Sequence, residues 1–220
     1  MIDPLQGRKW LHNSGMSVLL LLLVVTVFVM PAVIPFGTTR RLMADILMSL
    51  ILVSGVVAVA EHRKSAIALA VLSLAVILLA WTEWIVPAGT LPALRELCAL
   101  AAFLLLAFAV GINVFASGHA IGDRVFGAIV LYLLLGLIWA VAYNAIERNA
   151  PGSFTVQAAE ASGLADWVYF SFVTLTTVGY GDVAPVAQGA RSLAILEALV
   201  GQLYPAVIIA RLVSLQVSSQ

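Results

Sequence analysis

The chain has 220 residues, of which 63% are hydrophobic and only 10% are charged, and 11 basic residues balance 11 acidic ones. A soluble domain of this size needs far less apolar sequence, so the composition excludes an ordinary soluble protein. The zero net charge gives no indication of a nucleic-acid partner. The single cysteine, Cys98, excludes an intramolecular disulfide.

Six apolar segments are long enough to cross a bilayer, whose hydrocarbon core takes about 20 helical residues. A polar leader, residues 1–15, precedes them, and its Arg8 and Lys9 resemble the start of a signal peptide. No small-residue cleavage site follows the first apolar run, so we interpret that run as a retained helix. The predicted spans are residues 16–34, 42–60, 65–86, 94–117, 124–147 and 189–213.

The first four spans carry few charges. The fourth has Arg95 beside Glu96 at its start, and the second begins at the adjacent Arg40 and Arg41. Neither arrangement repeats a basic residue at every third position. Asp45 lies four positions after Arg41, and this helical spacing predicts an ion pair between the two residues.

Between the last two spans lies the segment Thr174–Asp182, which reads Thr-Leu-Thr-Thr-Val-Gly-Tyr-Gly-Asp. It contains the Thr-Val-Gly-Tyr-Gly sequence of potassium-channel filters. The segment therefore resembles the pore loop of the tetrameric potassium-channel family. A simple glycine turn is the alternative, and the nine-residue match between two long apolar segments disfavours it.

The resemblance implies which residues contact the ion. In such a filter, backbone carbonyls replace the water shell of K⁺. The implied ligands are the carbonyls of Thr177, Val178, Gly179 and Tyr180, with the Thr177 hydroxyl. Gly179 and Gly181 supply left-handed backbone at little steric cost. Val178 and Tyr180 are expected to point away from the pore axis and to pack behind the filter.

A short helix is expected to support this loop. Asp166 is a plausible N-cap, with its carboxylate at the positive end of the helix dipole. The negative end, at Thr176, would favour a dehydrating cation. By resemblance, Tyr169 and Phe170 occupy the two aromatic positions behind the filter, and Tyr169 can donate a hydrogen bond to Asp182.

The last span carries the residues that we associate with gating. Gly201 lies 20 residues beyond the last filter glycine, where the family has a hinge glycine, although close helix packing is an alternative role. Pro205 removes a backbone donor and predicts a kink. Glu197 must face protein or water, and it either forms hydrogen bonds behind the short helix or titrates during gating. Gln202 and Ile209 share a face and are interpreted as cavity lining.

The predicted fold is an all-α membrane protein with six transmembrane helices, and a re-entrant pore helix and selectivity filter between helices five and six. Three domains are expected: a cytoplasmic leader (1–15), a four-helix domain that resembles a voltage-sensor domain without its charges (16–120), and a pore domain (121–220). One filter sequence per chain implies a homotetramer. The resemblance further implies a plasma-membrane location and cytoplasmic termini. The sequence after the sixth span is short, so no cytoplasmic ligand-binding domain of the kind that gates many relatives is expected in the chain.

The resulting hypothesis is a K⁺-selective channel with little intrinsic voltage dependence. One alternative is a less selective cation channel of the same fold, against which Tyr180 argues because relatives altered at this position lose selectivity. Another is a non-conducting regulatory or scaffold subunit of the membrane. No metal-ligand spacing, nucleophile elbow or phosphate loop indicates an enzyme. No cofactor is expected, and K⁺ is the permeant ion.

Overall fold

The computed structural model describes residues 15–34, 37–60, 63–82, 84, 91–115, 121–156 and 163–217. The chain divides into two compact units, Met1–Ile138 and Trp139–Gln220. Apart from Gly15, the predicted leader lies outside the described residues. The predicted domain division after residue 120 stays a prediction.

Four helices and the first part of a fifth form the first unit. They are α1 (Gly15–Val33), α2 (Thr38–Ala58), α3 (Arg63–Thr82), α4 (Leu91–Phe115) and α5 (Ile121–Asn149), which continues into the second unit. The second unit adds α6 (Leu164–Leu175) and α7 (Gln188–Val217). Among the described residues, six helices, all but α6, are long and apolar enough to cross a membrane. This agrees with the predicted all-α membrane protein.

The core of the first unit includes a close contact between α2 and α4. A Cβ atom added to Gly55 would meet the side chain of Leu106 at 2.7 Å, so the glycine lets the two helices approach. Leu106 is fully buried there, as are Ile51 and Leu52 on α2. Interior packing of this density leaves no room for an added methyl group without rearrangement.

A buried carboxylate links α2 to α4 near the start of each helix. Asp45 forms an ion pair with Arg95 of α4 and accepts a hydrogen bond of 3.1 Å from Trp84 Nε1. The predicted pairing of Asp45 with Arg41 is wrong, and the Arg41 guanidinium instead lies 5.3 Å from the centre of the Trp84 ring. A neighbouring helix supplies the counter-charge because Asp45 is buried against it, and a buried carboxylate needs charged and hydrogen-bonding partners.

Two short strands that the sequence did not predict close the second unit. Strand β1 (Phe154–Val156) pairs antiparallel with β2 (Val183–Pro185). The Ser153 carbonyl extends the pairing by accepting the amides of Val186 (2.8 Å) and Ala187 (3.1 Å). The strand pair therefore joins the segment that follows α5 to the segment that leads into α7.

An aromatic cluster forms the core of the second unit. Phe170 of α6 lies with its ring centroid 4.9 Å from that of Tyr143 on α5 and 5.5 Å from that of Phe154 on β1. Trp167, one turn earlier on α6, lies 4.8 Å from Phe154. The rings meet at steep angles, as the charge distribution of aromatic faces and edges favours. This cluster fixes α6 against α5.

The Asp45–Arg95 pair gives a first prediction. Replacing Asp45 with Asn should lower the free energy of unfolding by about 2 kcal/mol, because the Arg95 guanidinium loses its counter-charge. A double-mutant cycle with Arg95→Gln should show a coupling of at least about 1 kcal/mol, measured by unfolding in detergent followed by circular dichroism. The matched control is the same cycle with Arg41→Gln, where the coupling should stay below about 0.5 kcal/mol. A larger coupling with Arg41 than with Arg95 would contradict the assignment.

Candidate functional site

Helix α6 begins earlier than predicted. Gly163 precedes it in an extended conformation, and the Asp166 amide donates to the Gly163 carbonyl over 3.1 Å. The prediction of Asp166 as N-cap is therefore wrong, because the helix already starts at Leu164 and Asp166 lies within its first turn. An acid there still faces the positive end of the helix dipole. At the other end, Thr176 donates from both its amide (3.1 Å) and its hydroxyl (2.6 Å) to the Phe172 carbonyl.

The loop after α6 is fastened to the last turn of the helix. The Val173 carbonyl accepts the amides of Val178 (2.9 Å) and Gly179 (3.3 Å), and the Thr174 carbonyl accepts the amide of Thr177 (2.9 Å). Carbonyls at a helix end have no partner within the helix, so the loop satisfies them. Thr177, Val178 and Gly179 are thereby held against α6.

The loop backbone alternates in handedness. Thr177, Gly179 and Gly181 have φ angles of 58°, 60° and 79°, whereas Val178 and Tyr180 between them do not lie in the left-handed region. The two glycines were predicted in this conformation, but Thr177 was not. A β-branched residue in this region is strained by roughly 1–3 kcal/mol and persists only where its surroundings hold it. Residue type alone could not have indicated this position.

The side chains of the loop are largely uncovered by their own chain. Tyr180 is 71% exposed and Val178 is 53% exposed. A Cβ atom added to Gly179 or Gly181 would meet nothing within 4 Å. Within the single chain, the backbone angle and not lack of space is therefore the reason for both glycines.

Tyr169 connects α6 to the end of the loop. Its hydroxyl donates to Asp182 Oδ2 over 2.7 Å, and the other carboxylate oxygen of Asp182 accepts the amide of Val183 at 3.1 Å. The hydrogen bond to Asp182, with smaller effects of burial and charge, raises the pKa of Tyr169 to about 12. The phenol therefore stays protonated at neutral pH, and the bond is lost only as the pH rises through that value. Phe170 points elsewhere, into the aromatic cluster.

A buried carboxylate joins α5, α6 and α7. Glu197 on α7 accepts a hydrogen bond of 2.5 Å from the hydroxyl of Tyr143 on α5 and another of 2.5 Å from Ser171 on α6. All three side chains are fully buried. These are contacts of the kind expected if Glu197 bonds behind the short helix. The sequence indicated that Glu197 needs donors, but Tyr143 and Ser171 were missed because many hydroxyl residues lie in this unit.

Helix α7 passes directly against the end of α6 at Gly201. A Cβ atom added there would overlap the carbonyl group of Leu175, the last residue of α6. Gly201 and Leu175 are both buried. Close packing is therefore one requirement for this glycine, and a hinge at Gly201 stays a prediction. Pro205 lies within α7, which is a single continuous helix from Gln188 to Val217.

Gln202, the residue after Gly201, contacts the loop. Its Nε2 donates to the Thr177 hydroxyl over 2.8 Å. Gln202 and Ile209 were predicted to line a cavity, and both are exposed within the single chain. The contact with Thr177 was not foreseen, because linear spacing does not tell which residue of α7 lies level with the loop. Within the described residues, no group of three or more His, Cys, Asp or Glu could hold a metal ion.

Comparison with known proteins places the family match in α5 to α7. A family model described as an ion channel matches residues 125–217. Protein LctB of Bacillus caldotenax is 41% identical over 96 residues, which are 41% of this chain and 71% of LctB. The two pore potassium channel c of Oryza sativa subsp. japonica is 40% identical over 75 residues, 34% of this chain and 16% of the relative. The inward rectifier potassium channel Kirbac3.1 of Paramagnetospirillum magnetotacticum is 41% identical over 77 residues, 33% of this chain and 23% of the relative. The chain thus spans less than a quarter of the length of these two channels.

The Glu197 contacts predict a specific pattern of stability. Glu197→Leu should lower the free energy of unfolding by about 2–4 kcal/mol, because two buried hydroxyls lose their acceptor, whereas Glu197→Gln keeps an oxygen and should cost about half as much. In a Tyr143→Phe, Ser171→Ala background, Glu197→Leu should be nearly neutral because no donor is left unpaired. Thermal unfolding in detergent measures all of these variants. An equal loss in both backgrounds would contradict the contacts.

The close approach at Gly201 predicts the effect of one methyl group. Gly201→Ala should lower the free energy of unfolding by about 1–3 kcal/mol, because the new methyl meets backbone atoms that cannot rotate away. Gly189→Ala on the same helix is the matched control, since a Cβ atom there meets nothing within 4 Å. The control should be neutral or slightly stabilising, because alanine favours helix. Equal thermal unfolding of the two variants would disprove the packing role.

Proposed function

Because this chain belongs to the potassium channel family, we propose that it forms a K⁺-selective pore whose filter is the loop after α6. The chain is a channel and not an enzyme. In this proposal α5 is the outer helix, α6 the pore helix and α7 the inner helix. The ion ligands are the carbonyls of Thr177, Val178, Gly179 and Tyr180, with the Thr177 hydroxyl.

The alternating backbone of the loop is the observation that carries this proposal. Consecutive carbonyls in an ordinary extended strand point to opposite sides. A regular change of handedness at Thr177, Gly179 and Gly181 turns successive carbonyls toward one side. Rings of carbonyls on one axis can replace the hydration shell of K⁺. Asp182, held by Tyr169, supports the outer end of the filter.

Four copies of the chain are required to close such a ring, and we assign a homotetramer. The exposed side chains of Val178 and Tyr180 support it, because they have no cover in the single chain. One side of α7 also exposes large apolar residues, among them Leu196, Leu199, Leu203 and Val207. In the tetramer, neighbouring subunits cover part of this surface and the rest faces the pore cavity and lipid.

The proposed topology follows from the direction of the loop. If the filter enters from outside, as in the family, α5 runs outward and both termini are cytoplasmic. The chain then lies in the plasma membrane as a multi-pass protein with a leader (1–15), a four-helix domain (16–120) and a pore domain (121–220).

Weak voltage dependence is part of the proposal. A charge that crosses the whole field gains only about 2.3 kcal/mol per 100 mV, so steep gating takes three or four charges per subunit. Helix α4 carries one basic residue, Arg95, and the ion pair with Asp45 restrains it. Gating by Gly201 and Pro205 then depends on a stimulus other than voltage.

The test is the reversal potential of the purified chain in planar bilayers, with K⁺ in excess over Na⁺ on one side and Na⁺ in excess over K⁺ on the other. We expect reversal near the K⁺ equilibrium potential and an open probability that is flat in voltage. Gly179→Ala should abolish selective current, because alanine disfavours the left-handed backbone of the filter. Gly152→Ala is the matched control: Gly152 has a φ angle of 86° but lies in the turn before β1, so its substitution should leave selectivity intact.

Other results would support the alternatives. Current that reverses near zero would indicate a less selective cation channel. A tetramer that passes no ions under any applied stimulus would indicate a regulatory or scaffold subunit. A steep voltage dependence would show that the Asp45–Arg95 pair does not restrain the charge of α4.

A further inference from the structure

A hydrogen bond between Gln202 and Thr177 connects α7 to the loop. Thr177 is the innermost of the proposed ion ligands, and it contributes both a carbonyl and a hydroxyl. That hydroxyl accepts a hydrogen bond of 2.8 Å from the amide nitrogen of Gln202. The donor and the acceptor lie 25 residues apart, on the inner helix and in the loop respectively.

Gln202 is held level with Thr177 by its immediate neighbour. Gly201 brings the backbone of α7 against the Leu175 carbonyl, two residues before Thr177. One residue further along α7, the long side chain of Gln202 reaches the loop. On the other side of Gly201, Glu197 bonds to Ser171 of α6 and fixes the height of the helix. The contact between Gln202 and Thr177 therefore lies at a point where α7 is anchored.

We propose that Gln202 is a positioning residue for the innermost ion site, where its amide orients the Thr177 hydroxyl as an ion ligand. This inference rests on the function proposed above. A hydroxyl oxygen has two lone pairs and a rotating hydrogen. When the Gln202 N–H occupies one lone pair, the other is left for the cation and the hydroxyl loses the freedom to turn away.

The left-handed backbone of Thr177 makes such support necessary. At a φ angle of 58° a β-branched residue is strained, and it keeps this geometry only where neighbouring groups hold it. The Thr174 carbonyl holds the amide of Thr177, and Gln202 holds the hydroxyl. Loss of the Gln202 amide should therefore loosen the innermost site without removing any ligand.

Block by Ba²⁺ from the cytoplasmic side tests the inference, because this ion has nearly the radius of K⁺ and twice its charge. Gln202→Met removes the amide at similar length and should weaken Ba²⁺ block by at least about fivefold, the effect of one neutral hydrogen bond. The same loss should occur in a Thr177→Ser background, which keeps the hydroxyl. In a Thr177→Ala background, Gln202→Met should have no effect. Gln188→Met, the same change at the first residue of α7, is the control and should leave block unchanged.

Calorimetric titration of the purified channel with Ba²⁺ replaces the electrical measurement if Thr177→Ala does not conduct. Unchanged or tighter Ba²⁺ binding in Gln202→Met would overturn the inference, as would an equal loss in the Thr177→Ala background. If the parent channel conducts K⁺ selectively and Gln202→Met binds Ba²⁺ as the parent does, the proposed function stands. Only the role of Gln202 is then rejected. A parent tetramer without K⁺ current would reject the proposed function itself.

Discussion

The close approach between α7 and the end of α6 is the constraint on which the site depends. It is possible because Gly201 has no side chain, so that the helix backbone can lie against the Leu175 carbonyl. Two hydrogen bonds flank this contact: Glu197 reaches Ser171 before it, and Gln202 reaches Thr177 after it. A wider separation of the helices would break both. The position of the loop is thereby coupled to the packing of one helix pair.

Contacts with α6 and α7 hold the strained backbone of the loop in place. Thr177 takes a conformation that its residue type disfavours, and the groups that hold it come from α6 and from α7. Strained backbone that surrounding contacts over-determine is common at functional sites. Here the strain falls where the chain is proposed to meet a dehydrated ion.

Much of this arrangement could be predicted from the sequence, because its strongest signals are local. Long apolar runs identified the six helices, and the Thr-Val-Gly-Tyr-Gly motif identified the loop and the two left-handed glycines. The failures concern contacts between elements. Asp45 was assigned to the nearest arginine along its own helix, whereas the partner, Arg95, comes from another helix. Spacing within one helix cannot show which side chain a neighbouring helix presents.

The remaining errors have similar causes. Asp166 was taken as an N-cap because acids favour that position, but Gly163 occupies it and Asp166 lies in the first turn of α6. The strand pair escaped prediction because three-residue strands carry no usable periodicity. The donors to Glu197 were not identified from the sequence. A buried carboxylate needs hydrogen-bond donors, but the sequence does not show which hydroxyl groups lie beside it.

The partners of Glu197 also bear on how the chain enters the membrane. A carboxyl group in a helix costs roughly 2.5–3.5 kcal/mol during insertion through the translocon. Both donors, Tyr143 and Ser171, lie upstream in the chain and leave the ribosome before Glu197. When α7 follows them, both hydroxyl donors for its carboxylate are already present on α5 and α6. The order of synthesis thus matches the order in which the hydrogen bonds are needed.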